Sequence, residues 1–492
     1  MASNRLLLMA ALLPFGAALV VRLLGRWPRA RDAAGSLAAV ASFASVASLL
    51  GEVREGRLPQ QELLPIVPGF ALALRADSFG LLFALLASGL WVVTSVYNAA
   101  YMRAEGDRDA TGYFALFAAA VGAALGIALS ANLVTLFVFY EILTLSTWPL
   151  VVQKRTPEAR AAGRKYLVYT LVSGQALLVA IVAAAVLAPG AGFRAGGFLS
   201  GTAGDDTLRL LFLLFVVGCG VKAAIMPLHA WLPAAMVAPT PVSALLHAVA
   251  VVKAGTFVCV RVVGWVFGVD VLRQIGADVA LATLAAVTIV LASVRALGEL
   301  NLKRRLAWST VGQLSYIVLG AALGSAAALA GAMFHMVAHG LMKITLFFCA
   351  GSIYVRTHLT EIPALSGVGR RMPVTMAAFA VGATGLAGIP GLAGFVSKWN
   401  LGVGALDAGH GVFLAVLLVS GALNVAYFLP IVQAAFAGEG PIRFEEGSPG
   451  LWVPLAVTAA LSILIGLAPG AVLGLYDLAW DAALAIVAGA GS

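Results

Sequence analysis

The stretch AMFHMVAHGLMKITLFFCAG, residues 332–351, is apolar enough to lie in a lipid bilayer, yet it carries His335, His339 and Lys343 at intervals of four. Four residues advance a helix by about 400°, so the three groups drift only about 80° while climbing about 12 Å. They form one polar stripe. Imidazole and a lysine held out of water both take up and release protons in the physiological range, so such a stripe has the chemistry of successive stations for a hopping proton. Hydrogen bonding between packed helices is the alternative, and it suits either histidine alone better than all three together. Zinc is a second rival, because His at i and i+4 share a face. It needs further ligands, and the ammonium of Lys343 beside the pair opposes a divalent ion. A haem held by histidine pairs meets the same objection.

Five more ionisable residues sit deep in apolar runs: Glu141 in FVFYEILTLSTW, Lys222 in GCGVKAAIMPLHAWLP, His247 and Lys253 in LLHAVAVVKAG, and Lys398 in GIPGLAGFVSKW. A charge near the bilayer centre costs about 2.5–3.5 kcal/mol on insertion scales, so each is a functional candidate by default. Glu141 is the sole acid among them, and a lysine is its natural partner. Such a pair is a proton switch if it loosens and a static salt bridge if it does not. Lys303, in NLKRRLAW, lies at a helix start, where snorkelling and loop charge bias account for it equally well. His229, in MPLHAWLP, reads as interfacial. The cysteines Cys219, Cys259 and Cys349 lack CxxC spacing and read as small hydrophobes.

These groups need a scaffold of membrane helices. With 61% hydrophobic and 11% charged residues in 492, and a mean hydropathy of +0.99, the chain lies outside the range of soluble domains. Runs of about 20 apolar residues recur along it, as a bilayer core requires. Fourteen spans are predicted, near residues 5–24, 33–51, 77–101, 112–130, 131–152, 162–188, 207–228, 238–263, 275–297, 306–324, 328–354, 374–405, 409–435 and 450–470. The first is followed by Arg22, Arg26, Arg29 and Arg31 rather than a small-residue cleavage site, so a retained anchor is expected.

Alternate connections differ in charge. One side collects 19 Lys and Arg, among them Arg103, Arg108, Lys154, Arg160, Lys303, Arg371 and Arg443; the other collects eight, including Arg75, Arg194 and Arg261. The rich side is therefore expected in the cytoplasm, and an even span count places both termini outside it. The remaining basic residues are Lys222, Lys253, Lys343 and Lys398. The net charge of +9 thus reflects topology plus buried lysines and gives no basis for nucleic-acid binding.

Pro and Gly interrupt two spans, the seventh at MPLHAWLPAAMVAPTPVS after Lys222 and the twelfth at GLAGIPGLAGFVSKW before Lys398. Breaks are tolerated where freed backbone faces protein or a wet cavity, and paired breaks in corresponding places point to an inverted-repeat transporter. Five spans apart, the two would be symmetry mates in opposite orientation. The expected fold is an all-α polytopic membrane protein with two inverted five-helix repeats. Its parts are an N-terminal three-helix segment (1–110), a first repeat (111–263), a second repeat (275–435), and a last helix with a short tail (436–492).

The segments FYEILTLSTWPLV, KAAIMPLHAWLPAAMVAPTPVSALLHAVAVVKAG, NLKRRLAWSTVGQLSY, FHMVAHGLMKITLFFCAGS and GIPGLAGFVSKWNL resemble the antiporter-like proton-channel subunits shared by respiratory complex I, membrane-bound hydrogenases and Mrp-type cation/proton antiporters. The resemblance runs from about residue 75 to 435. It implies fourteen helices, with Glu141 as the fifth-helix glutamate, Lys222 as its seventh-helix partner and Lys253 as the eighth-helix lysine of the D and M types. His247 stands where the larger L and A types use histidine, and this chain has both. Lys343 matches the central eleventh-helix lysine, His335 and His339 its neighbours, and Lys398 the twelfth-helix exit residue. The M type often has glutamate there, so lysine favours the Mrp D type or its hydrogenase relatives. The L type continues past its fourteenth helix into a long lateral helix and further spans, so the L type is not expected.

The resemblance thus implies a proton-conducting subunit of a bacterial-type inner membrane, with no catalytic site, metal or cofactor of its own and with other membrane subunits as partners. Protons would enter near Lys222 and Lys253, pass the Lys343 stripe with water, and leave at Lys398. Na⁺ needs clustered oxygen ligands, and with one deep acid here it is expected to cross elsewhere in the assembly. Membership of a redox enzyme, complex I or a hydrogenase, and a passive or structural role are the alternatives.

Overall fold

The structure, a computed structural model, describes residues 2–67, 70–106, 110–437 and 445–490. Arg108 and Arg443, counted in the charge asymmetry, lie outside the described residues. Among the described residues, twelve helices are long and apolar enough to cross a bilayer: α1 (Asn4–Arg26), α2 (Pro28–Arg54), α3 (Ser78–Glu105), α4 (Ala110–Ala128), α5 (Leu133–Val151), α6 (Pro157–Leu187), α8 (Thr240–Phe267), α9 (Ala277–Gly298), α10 (Leu302–Leu323), α11 (Ala326–Thr357), α14 (Gly411–Ala437) and α15 (Pro449–Leu467). The other two expected spans are the interrupted ones. The seventh is α7 (Asp205–Gly220), followed by irregular backbone and the short helix Trp231–Ala234. The twelfth divides into α12 (Pro373–Ala387) and α13 (Ala393–Asp407).

Local chemistry sets these boundaries. Asp77, Asn132, Asn301 and Ser325 each accept a backbone N–H at the start of α3, α5, α10 and α11, which satisfies donors that the first helical turn leaves open. Pro157 occupies the first turn of α6, where its missing N–H is harmless. Between α12 and α13, Gly388 and Gly391 have φ of 94° and 86°, a region that residues with a Cβ rarely enter.

The membrane-crossing windows of α8 and α11 are buried throughout, and those of α1, α2, α6, α14 and α15 are buried over only 33–39%. The centre therefore consists of the two helices that carry His247, Lys253, His335, His339 and Lys343. Exposed Leu19, Val168, Val172, Val186, Leu418 and Leu467 give the outer helices an apolar surface suited to lipid. The chain is a multi-pass integral membrane protein.

Three features depart from the sequence expectations. An antiparallel hairpin, β1 (Gln60–Val67) with β2 (Phe70–Arg75), precedes α3, with Gln60 opposite Arg75. The expected short tail holds a further helix, α16 (Leu475–Ala490), whose buried face is Leu475, Leu478, Ala479, Ala482, Ala483 and Ile486. It packs on α11 and α3. Arg261, counted among the outer loop charges, lies within α8 and is fully buried.

Candidate functional site

Six of the candidate residues are fully buried: Lys222, His247, Lys253, His335, His339 and Lys343. Glu141, Lys303 and Lys398 are half-buried. Each ammonium is held by backbone carbonyls or by imidazole, as a buried donor requires.

At the α7 break, Lys222 Nζ donates to the carbonyl of Tyr140 at 2.6 Å and lies 3.2 Å from the centre of that residue's ring. Trp231 Nε1 donates to the carbonyl of Val221 at 2.6 Å, so one carbonyl freed by the interruption is satisfied by the chain's own indole. Glu141 follows Tyr140 on α5. The expected Glu141–Lys222 pair is not a direct ion pair: the ammonium goes to the backbone instead, and Glu141 Oε1 is buried without a hydrogen-bond partner among the described residues. The two are near enough to act on each other electrostatically. Gly174 of α6 lies against the carboxylate, where any Cβ would collide with it. Gly255 likewise lets α8 approach the backbone of Lys222 and Ala223.

From α8, Lys253 Nζ lies 2.7 Å from His339 Nδ1 on α11. This contact is a direct polar link between the two central helices. His339 in turn has its ring centre 6.0 Å from that of His335. His335 is held on both sides, by Ser397 Oγ of α13 at Nδ1 (2.8 Å) and by Gln313 Oε1 of α10 at Nε2 (3.1 Å). Ser397 adjoins Lys398. The ammonium of Lys398 caps the broken end of α12, donating to the carbonyls of Leu386 (2.6 Å) and Ala387 (3.3 Å), where the helix dipole favours a cation. Asn424 Nδ2 also donates to Leu386, at 3.3 Å.

Lys343, one turn from His339, points elsewhere. Its Nζ donates to the carbonyl of Leu306 on α10 at 2.9 Å and faces the ring of Phe428. Lys303, one turn earlier on α10, donates to the carbonyl of Ala238 at 2.5 Å and lines a cavity of about 740 Å³ with Lys154, Lys165, Glu299, Arg304 and Glu361. His247 lies on a π-helical turn, Leu245–Val249, with its ring 4.8 Å from that of Phe347 and neither nitrogen paired among the described residues. Single π turns are frequent where a helix presents a functional side chain. The three groups of the α11 stripe therefore reach three different neighbours: His339 to α8, His335 to α10 and α13, Lys343 to α10.

Sequence reasoning missed the neutral members of this set. Tyr140 and Ser397 adjoin a charged residue, Gln313 shares α10 with Lys303, and Asn424 lies in α14, whose residues 411–437 carry no charge; a census confined to charges passes over all four.

Residues 130–424 match the family described as NADH:quinone oxidoreductase/Mrp antiporter, TM. NADH-quinone oxidoreductase subunit N of Desulforudis audaxviator is 32% identical over 419 residues, covering 78% of this chain and 80% of that protein. A probable K(+)/H(+) antiporter component of Rhizobium meliloti is 33% identical over 426 residues, covering 82% of this chain but 41% of its own greater length. Among solved structures, a chain of the Mrp complex from Dietzia sp. DQ12-45-1b superposes with a TM-score of 0.84 at 22% identity, covering 98% of this chain and 97% of that one; at that identity the likeness is one of fold. The chain belongs to the family of transmembrane subunits shared by NADH:quinone oxidoreductases and Mrp antiporters.

Proposed function

We propose that the chain is the proton-translocating member of a multisubunit monovalent cation/proton antiporter, resembling the D type of the Mrp assemblies, and that Glu141, Lys222, His247, Lys253, Lys343 and Lys398 carry the proton, with His335, His339 and Lys303 in support. The Lys253–His339 contact carries this reading: it joins a lysine of α8 to the stripe on α11 in the wholly buried centre of the bundle. Protonated groups that share short hydrogen bonds with neutral ones pass a proton by exchanging which of the two holds it. The inverted-repeat reading of residues 111–263 and 275–435 assigns Lys222 and Lys398, each at a helix break, to the two ends of the line.

A second reading places the same chain in the membrane arm of a complex I-like oxidoreductase or hydrogenase; the likeness to a subunit N over 80% of that protein favours it. Both readings make the chain one part of a larger membrane assembly. Purification from native membranes separates them: small antiporter subunits in the complex support the first, flavin and iron–sulfur proteins the second. Either way, the chain alone in liposomes is expected to show no Na⁺/H⁺ exchange, since a pathway without a coupled second ion has nothing to exchange against. Robust exchange by the isolated chain would contradict both.

Orientation follows from the loop charges: both termini outside the cytoplasm of a bacterial-type inner membrane, with the cavity lined by Lys154, Lys165 and Lys303 facing inward. Reporter fusions after Ser492 and after Arg160 are expected to report outside and cytoplasm respectively. The reverse pattern at either site overturns the assignment.

A further inference from the structure

The outer end of α8 holds a charged cluster that the proton pathway does not use. Arg261 Nη2 meets Asp77 Oδ1 at 2.5 Å, and the guanidinium lies within a box of Phe79, Phe193, Phe257 and Trp265, 4.4–5.3 Å from the ring centres. Asp77 also caps α3 by accepting from Gly80 N at 2.8 Å. Arg75, at the end of the hairpin, lies 3.7 Å from Asp77 Oδ2 and donates to the carbonyl of Phe193 at 2.8 Å. Burial pushes the Asp77 carboxyl up, but Arg261, by charge and hydrogen bond, outweighs it with help from Arg75 and Gly80 N–H, so the group stays below the usual carboxylate range.

A buried ion pair is weak evidence for stability, because desolvation cancels much of the attraction; its best-attested use is to fix register. Register is at stake here. The segment Val251–Arg261 of α8 is regular helix between two π-helical stretches, Leu245–Val249 and Val262–Phe267, which leave its ends loosely specified. Lys253 sits near one end and Arg261 at the other. Arg261 ties the helix to the cap of α3, and α3 is tied to α11 by Tyr97, whose hydroxyl donates to the carbonyl of Phe348 at 2.8 Å with the rings stacked 4.0 Å apart. A Cβ at Gly340 of α11 would meet both Leu86 of α3 and the Ala248 carbonyl of α8. The circuit α8–α3–α11 closes on itself at Lys253 and His339.

We propose that the Asp77–Arg261 pair is a positioning device for proton transfer: it fixes α8 against α3 and thereby holds Lys253 in contact with His339. The proposal rests on the pathway argued above. A displacement of about 1 Å is enough to degrade a transfer between groups held at hydrogen-bond distance.

The test is a double-mutant cycle on proton flux per chain, in vesicles of native membranes that retain the whole assembly. Asp77→Asn keeps the cap acceptor but strands a buried guanidinium, so Asp77→Asn/Arg261→Gln, which removes both charges, is the working variant. It is expected to accumulate normally and to lose about fivefold in flux, the size of coupling found within one connected network. In a His339→Ala background, where the contact is already gone, it is expected to cost less than about twofold more. In a His335→Ala background, whose partners lie on α10 and α13, the full factor is expected to persist. Equal losses in all backgrounds, unchanged flux, or failure of the double variant to accumulate would each assign the pair to folding alone and overturn the proposal. Unchanged flux in His339→Ala by itself would instead remove the pathway on which the proposal stands.

Discussion

Glu141→Gln is expected to cut proton flux by at least about 30-fold while the chain still accumulates and assembles, a loss on the scale of removing one positioned acid–base group. The substitution keeps size and shape and deletes the charge together with the group that can hold a proton. The structure makes the prediction sharper than the sequence did. A static salt bridge between Glu141 and Lys222 would lose its partner and leave a buried ammonium stranded, and the chain would disappear from the membrane. Here the ammonium is already held by the Tyr140 carbonyl and one carboxylate oxygen has no hydrogen-bond partner among the described residues, so little hydrogen bonding is lost. What disappears is the field that the carboxylate exerts on Lys222. Lys222→Met, which removes the group on which that field acts, is expected to give the same loss. Parallel measurement of flux and chain level checks both; a chain missing from the membrane would restore the salt-bridge reading.

Much of this arrangement was legible in the sequence because lipid makes it so. A charge inside an apolar run is conspicuous, and all nine residues picked out in that way fall on the expected spans or at their ends. The two breaks were readable from Gly and Pro for the same reason: in a bilayer, interrupted backbone must be marked by residues that tolerate it. Helix α16 was readable in principle, since its buried residues recur at spacings of three and four, but it follows a proline–glycine pair and reads at first as a tail. Which groups touch was not legible. Spacing put His335, His339 and Lys343 on one face, yet that face meets three neighbours, and nothing in the sequence of α11 says that His339 faces Lys253 while Lys343 turns to Leu306. Arg261 was misplaced because the expected span was ended near residue 263, although the apolar run continues through VVGWVF to Phe267; the aromatic residues around it, Phe257 and Trp265, were the available signal.

The stripe on α11 has unequal members, and the second large effect is expected at Lys343. It is the one amine on that face, carried on a flexible stem and fully buried beside Phe428 and the Leu306 carbonyl. On the proposed path the histidines pass protons through rings whose removal leaves space that water can fill, given the polar partners that remain: Lys253 beside His339, and Ser397 and Gln313 beside His335. Water replaces an imidazole relay imperfectly and does not replace a charge-holding site. Lys343→Ala is therefore expected to reduce flux at least about 100-fold, and His335→Ala and His339→Ala each about three- to tenfold. None of the three is expected to lower abundance greatly, since an interhelical hydrogen bond in a membrane contributes about 0.6 kcal/mol on average. A purely structural stripe gives the opposite pattern, with losses in abundance and normal flux per chain. The deciding measurement is proton flux and chain level, side by side, in native-membrane vesicles carrying Lys343→Ala: flux at the background leak with normal abundance is the expected result, and full flux at normal abundance would contradict the stripe as the path of the proton.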